Sequence, residues 1–171
     1  RIAIAAPRSH AKSTITDLEY LCWAIVHEKT RFTLLISDTY SQSVLFLSNI
    51  KAEFEANERL KSFYGNLVNE EKWSEGEIIV GQTMIRAIGA TMKVRGLKFR
   101  ESRPDLIIAD ALENDELVES LERREKLERW WNGAVVPSLA DNGRIIVIGT
   151  ILHYDSLLAK IMAYADTREN A

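Results

Sequence analysis

Ala6-Pro7-Arg8-Ser9-His10-Ala11-Lys12-Ser13-Thr14 is the stretch on which the reading of this sequence turns. An apolar run, Ile2 to Ala6, precedes it. A helical pattern through Thr14 to His27 follows, with Leu18, Leu21, Cys22 and Ile25 on one side. A strand, a polar turn and a helix opening on Lys-Ser is the setting of the phosphate-binding pattern G-x-x-x-x-G-K-[ST]. Such a turn aims backbone N–H groups at phosphate, at the positive end of a helix dipole. Both glycine positions are alanine here, Ala6 and Ala11, whereas Lys12 and Ser13 keep the cationic and hydroxyl pair. Alanine suits the loop only if its dihedrals stay in the ordinary regions for L-residues. The expected roles are a point charge from Lys12 at the β- and γ-phosphates and a Mg2+ ligand from the Ser13 hydroxyl. The alternative is that Ser13 or Thr14 only caps the helix.

A second stretch, Pro104-Asp105-Leu106-Ile107-Ile108-Ala109-Asp110, ends an apolar strand on an aspartate. Ligands of open parallel sheets gather at the carboxyl ends of strands, so this aspartate and the Lys12 loop are expected on one edge. Beside a phosphate loop, such an aspartate holds Mg2+, usually through water. Alone, Asp110 reads equally as the cap of the next helix; the two motifs together favour a nucleoside triphosphatase.

Outward from these motifs, strands alternate with helical stretches. The expected fold class is α/β, a central, mainly parallel sheet flanked by helices. The first strand reads as buried on both faces. Phe32 to Ser37 is the second strand, after which Asp38 or Thr39 caps a helix to about Asn57, with Val44, Leu47, Ile50 and Phe54 at helical spacing. Residues 58 to 76 are polar and poorly periodic, and their second half reads as a surface connection. Glu77 to Val80 and Met84 to Ile88 are two short strands joined through Gly81. Lys93 to Arg103 gathers Lys93, Arg95, Lys98, Arg100 and Arg103. This stretch is a DNA-backbone contact, a source of an arginine for a neighbouring subunit, or a solvated loop. A helix from about Asp115 to Trp131 has Leu117, Leu121, Leu127 and Trp131 as its buried stripe, with Glu and Arg on a wet face. Asn142-Gly143 marks a turn, Arg144 to Ile148 the last strand, and Asp155 or Ser156 opens a final helix.

Length and composition set the bounds. The 171 residues make about one domain, able to bury roughly 70% of its unfolded surface. A hydrophobic share of 46% and a charged share of 27% are ordinary for a globular protein. The net charge of -3 argues against a chain that coats nucleic acid over its whole surface and leaves local basic contacts open. The single Cys22 has no Cys or His neighbour at metal-ligand spacing and reads as a packed helix residue. No apolar run approaches the ~20 residues a membrane span needs, so no membrane partner is expected. There is also no basic-then-apolar leader. Opening on Arg1 in an apparent strand, the chain reads as a fragment without its flanking regions.

Taken together, Ala6 to Thr14, Arg95-Gly96, Arg103 to Glu116 and Ile146 to Leu158 resemble the ATPase domain of phage large terminases, the motors of DNA packaging. The resemblance runs from Ile2 to about Leu158. Phosphate loops in that family depart from the glycine pattern, which accommodates Ala6 and Ala11. The resemblance implies a P-loop NTPase fold of the additional-strand class, use of ATP with Mg2+, and ATP-driven translocation of double-stranded DNA into a procapsid. It implies as partners the portal protein, the small terminase subunit and further copies in a ring, all in the host cytoplasm. The family carries a nuclease domain after the ATPase, which nothing here supplies, so residues 1–171 are expected to be one P-loop ATPase domain of a longer chain.

Carried over residue by residue, the nucleotide-binding set is Pro7, Arg8, Ser9, His10, Ala11, Lys12, Ser13 and Thr14, with Gly149 and Thr150. The metal set is Ser13 and Asp110, and the catalytic set is Arg8, Lys12, Asp110 and Glu113. Arg8 matches the loop arginine that senses or stabilises the γ-phosphate, a charge an arginine suits; otherwise it is a surface arginine. Gly149-Thr150 matches the motif coupling hydrolysis to movement; otherwise it is an ordinary strand-ending turn. His153 lacks a metal-ligand partner at a useful interval and reads as structural or substrate-facing.

The residue after Asp110 departs from the pattern. ATPases of this class place there an acid that orients and deprotonates the attacking water, and this chain has Ala111. Glu113 and Glu116 are near in sequence but project elsewhere once a helix begins. The favoured reading is a hydrolysis-impaired form, natural or engineered. A helicase-like or other P-loop NTPase, and a non-hydrolysing nucleotide-binding assembly module, are the alternatives.

Overall fold

Seven short runs, six of them rich in β-branched or apolar residues, form strands in the computed structural model, which describes residues 2–169. Arg1, Asn170 and Ala171, the ends of the expected domain, lie outside the described residues. In chain order the strands are β1 (Ile2–Ala5), β2 (Phe32–Ser37), β3 (Val68–Trp73), β4 (Glu77–Val80), β5 (Thr83–Gly89), β6 (Leu106–Asp110) and β7 (Arg144–Gly149). They make one mixed sheet in the order β1-β7-β6-β2-β5-β4-β3. The strands from β1 through β7, β6 and β2 to β5 are mutually parallel. β4 and β3 extend the sheet antiparallel, through the tight connection at Gly81. β7 thus lies between the strand that leads to Lys12 and the strand that ends on Asp110.

The helices are α1 (Leu21–Val26), α2 (Tyr40–Ala56), α3 (Glu58–Tyr64), α4 (Asp115–Glu119), α5 (Leu121–Trp130), α6 (Val136–Ser138) and α7 (Leu157–Glu169). Strand alternation sends side chains to two cores. On one face Leu34, Ile36, Ile107 and Val147 meet Leu127, Trp131, Leu157 and Leu158 of α5, α7 and the turns beside them. On the other, Leu35, Ile108, Ile146 and Ile148 meet Leu21 and Ile25 of α1 and Leu47, Ile50 and Phe54 of α2. Fully burying each such side chain is worth about 1.5–3 kcal/mol, which is why these periodic runs fix the layers.

Four expectations are corrected. β1 is not buried on both faces: it is an edge strand paired with β7, and Ile2 and Ile4 stay 55% and 38% exposed. Residues 58–76 hold a helix and a strand, and their second half is not a plain surface connection. Asn57 caps α3, accepting from the Leu60 N–H at 3.0 Å, and β3 then pairs with β4. The helix expected over 115–131 breaks at Ser120, whose extended backbone ends α4 and whose hydroxyl caps α5. Leu121 is accordingly 57% exposed, and Val118 is buried instead. Finally, the helix after the Lys12 loop starts with a π-helical segment, Thr14–Tyr20, before it becomes α1. Among the described residues, no helix is long and apolar enough to cross a membrane.

Candidate functional site

Parallel pairing carries the ends of β1, β7 and β6 to the same edge of the sheet. Ala5 pairs with Gly149, and Ile148 with Asp110. The loop after β1 is tied down where it begins: the Ala6 N–H donates to the Gly149 carbonyl at 3.2 Å, and the Thr150 hydroxyl donates to the Ala6 carbonyl at 3.0 Å. A Cβ at Gly149 would stand 3.1 Å from Leu158 Cδ2, a tight contact to which the leucine side chain would have to give. The loop after β6 is held likewise. The Ala111 N–H donates to the Ile148 carbonyl at 3.1 Å, and the Ser37 hydroxyl to the Asp110 carbonyl at 2.8 Å.

Within this frame the Ser13 hydroxyl donates to the Asp110 carboxylate, joining residues far apart in sequence. The Lys12 ammonium folds over its own loop, donating to the carbonyls of Ala6 at 2.9 Å and Pro7 at 2.7 Å. His10 Nδ1–H donates to the Arg8 carbonyl at 2.9 Å, bracing the loop from within. The Arg8 guanidinium reaches across to Asp115 at 2.6 Å, an exposed ion pair between this loop and the start of α4. Pro7, Ser9 and Thr14 line the same exposed turn.

The backbone overturns one expectation about the loop. Ala11 has φ 53° and Ser9 φ 66°, so the alanine at the second glycine position does occupy the left-handed region. For a residue with a Cβ this costs on the order of 1–2 kcal/mol. The conformation is the one that glycine would adopt freely, and the helix that begins at Lys12 fixes it: the Ile15 N–H donates to the Ala11 carbonyl at 3.0 Å. Ala111 is likewise left-handed, at φ 50°.

Two acids missing from the sequence reading of the site, or placed differently by it, are informative. Asp17 is 3% exposed and faces Asp110. Its Oδ1 accepts from the Thr16 hydroxyl at 2.9 Å, while its buried Oδ2 has no partner apart from the Asp110 carboxyl. Burial, then the neighbouring Asp110 carboxylate, pushes the Asp17 carboxyl up to about 9. An Asp one turn beyond Lys-Ser, on an otherwise apolar face, was the available signal. Glu113 sits at the start of α7, accepting from the Leu157 N–H at 2.9 Å and the Leu158 N–H at 3.4 Å. Burial raises its pKa, against those two hydrogen bonds and the nearby Lys160 and Arg124 charges. In this structure its carboxylate is occupied with a helix end. His153 is structural in the same way, its Nδ1 accepting from the Asp155 N–H at 3.0 Å.

The donor set fits a hard divalent cation: a hydroxyl and a carboxylate already in contact, and a second buried carboxyl with an orphaned oxygen beside them. Among the described residues no group of three or more His, Cys, Asp or Glu side chains gathers at metal-holding distance. The basic stretch lies elsewhere. Arg95, Lys98 and Arg103 line a cavity of about 330 Å³ with Gly133 and Pro137, sharing no residue with the Lys12–Asp110 cluster.

No family model and no curated protein matches this sequence. Among solved structures it is similar to the large terminase of bacteriophage HK97, with a TM-score of 0.62 at 15% identity. The match covers 97% of this chain and 32% of that one, so the chain spans about a third of that terminase's length. The likeness carries the fold: a terminase-like α/β architecture built on a mixed seven-stranded sheet.

Proposed function

We propose that this chain is the ATP-binding motor domain of a viral large terminase, using Lys12, Ser13 and Asp110 as its phosphate and Mg2+ site. The observation that carries the reading is the Ser13–Asp110 contact at the carboxyl edge of parallel strands, directly behind a strand–turn–helix that opens on Lys-Ser. The backbone N–H groups of residues 8–13 would bind the phosphates, assisted by the dipole of the helix they open. Lys12 would leave the Ala6 and Pro7 carbonyls for the β- and γ-phosphates, a short swing of a flexible side chain. Arg8 would exchange Asp115 for the γ-phosphate, and that exchange would pull on the loop leading to α4. Mg2+ held by Ser13 and Asp110 supplies neutralisation of the charge that develops on the transferred phosphoryl group. Thr150 and Gly149, bonded to Ala6, form the mechanical link between the nucleotide loop and the chain after β7.

In the same reading the domain works as one subunit of a ring on the procapsid, in the host cytoplasm. Its partners are double-stranded DNA, the portal protein and the small terminase subunit.

A second reading is favoured by Ala111 together with the engagement of Glu113 at the α7 N-terminus: a domain that binds ATP without hydrolysing it. The position after Asp110 then carries a methyl group, and the Glu113 carboxylate is held by the Leu157 and Leu158 N–H groups. A calorimetric ATP titration paired with a phosphate-release assay, with and without DNA, separates the two. Binding with DNA-stimulated turnover supports the motor. Binding without turnover supports the second reading, and absence of Mg-ATP binding defeats both.

A further inference from the structure

We propose that Asp17 is a third member of the cation site, a buried carboxylate that shares the divalent ion with Ser13 and Asp110. The inference rests on the nucleotide site proposed above and adds a residue to it. Asp17 is 3% exposed, and its Oδ2 has no hydrogen-bond partner beyond the Asp110 carboxyl that it faces. A buried polar group normally finds one, so an orphaned oxygen in a native fold calls for a ligand, an ion or a strain account. Its position narrows the choice. The carboxyl faces that of Asp110, the same group to which the Ser13 hydroxyl donates. Two carboxyls and a hydroxyl converging below the phosphate loop are an oxygen-rich set, the type that Mg2+ and Mn2+ take.

The backbone supplies an independent observation. Ser13 immediately precedes, and Asp17 lies within, a π-helical segment, Thr14–Tyr20, one of two such segments among the described residues, and π turns are frequent at functional sites. The wider turn changes which side chains share the face toward β6, and Asp17 is one of those it buries there. Thr16 locks the arrangement, its hydroxyl donating both to the Lys12 carbonyl and to Asp17 Oδ1, each at 2.9 Å. That leaves Oδ2, held against the Asp110 carboxyl, as the oxygen open to an ion. Placing a second acid against Asp110 in the absence of an ion is unfavourable, through like-charge repulsion and desolvation. A divalent ion relieves both at once. Asp17 therefore makes the site stronger for a divalent ion than Ser13 and Asp110 alone.

The test is a Mn2+ titration followed by electron paramagnetic resonance, on the full chain with saturating ATP, for wild type, Asp17→Asn, Asp17→Ala and Asp110→Asn. Melting curves in chelator check that each variant is folded. Both Asp17 variants are expected to weaken Mn2+ at least about tenfold while melting no lower than wild type, because each removes a buried, unsatisfied carboxyl. Unchanged Mn2+ affinity in both, with Asp110→Asn weakened, overturns the inference and leaves the nucleotide site standing. Retained affinity in Asp17→Asn alone also overturns it, since shape rather than charge is then what matters. Failure of the wild type to bind Mn2+ with ATP overturns the nucleotide site itself, and the inference with it.

Discussion

Ala11 and Ala111 hold the left-handed backbone at the two loops that meet at the site, and each invites a substitution. Ala11→Gly removes the Cβ clash at φ 53° and is expected to stabilise the chain by about 1 kcal/mol, read as a rise in the denaturant midpoint at constant m-value. A fall would mean that the loop's ordering matters more than its strain. Ala111 stands where a base is expected. General-base catalysis contributes ~10²–10⁴-fold, so restoring a carboxylate should raise steady-state phosphate release by at least about tenfold, or ~1.4 kcal/mol of barrier. Asp tolerates the left-handed region better than most residues, so Ala111→Asp is expected to gain more than Ala111→Glu. If neither gains in the presence of DNA, Ala111 is a native feature and Glu113 becomes the leading base. Asp17 sets a pH dependence for the ion-free protein. Its folded value, near 9, lies above the ordinary 3.8, so its contribution to stability is fully present below the lower value and lost as pH rises toward the upper. In chelator, the melting temperature of wild type should therefore drop relative to Asp17→Asn between about pH 5 and about pH 8. Parallel curves would contradict the assignment.

At the scale of elements, whatever buries a periodic apolar face was legible from sequence. β2 and β6 are mainly apolar and buried along their whole length, β7 everywhere but Arg144, and α2 puts Leu47, Ile50 and Phe54 into the core at helical spacing. Elements without such a face were not. α3 buries no residue, and β3 carries Asn69, Glu70, Glu71 and Lys72 along the far edge of the sheet, so neither leaves a hydrophobic period to read. The break at Ser120 escaped because Leu117, Leu121 and Leu127 keep a plausible spacing across it. Only the extended backbone of Ser120 rotates Leu121 to solvent. Leu121→Gln should therefore change stability by less than about 0.5 kcal/mol, whereas Leu127→Ala, in the core, should cost about 2–5 kcal/mol in denaturant unfolding. A large cost at Leu121 would restore the continuous helix. The candidate site was legible to the same degree. Lys12, Ser13 and Asp110 follow from motif and strand position, whereas Asp17 left only the weaker signal of an acid one turn beyond Lys-Ser on an otherwise apolar face.

Across the whole molecule, strand order does the work of assembling the site. Insertion of β7 between β1 and β6 brings three strand ends to one edge, so that Ala6 is bonded to Gly149 and Ala111 to Ile148 through backbone groups. Residues separated by most of the chain thereby share one rim, and in the proposed function the bonds from Ala6 to Gly149 and Thr150 link the Lys12 loop to the segment entering α7. Similarity to a phage terminase at the level of fold agrees with that layout. The central claim is that this rim binds Mg-ATP through Lys12. It is tested most directly by calorimetric titration of Mg-ATP into the wild-type chain and into Lys12→Ala, with melting curves showing both to be folded. The expected result is measurable binding by wild type and a loss of at least about tenfold in Lys12→Ala, ~1.4 kcal/mol in binding free energy. Equal affinity in the two proteins would contradict the assignment.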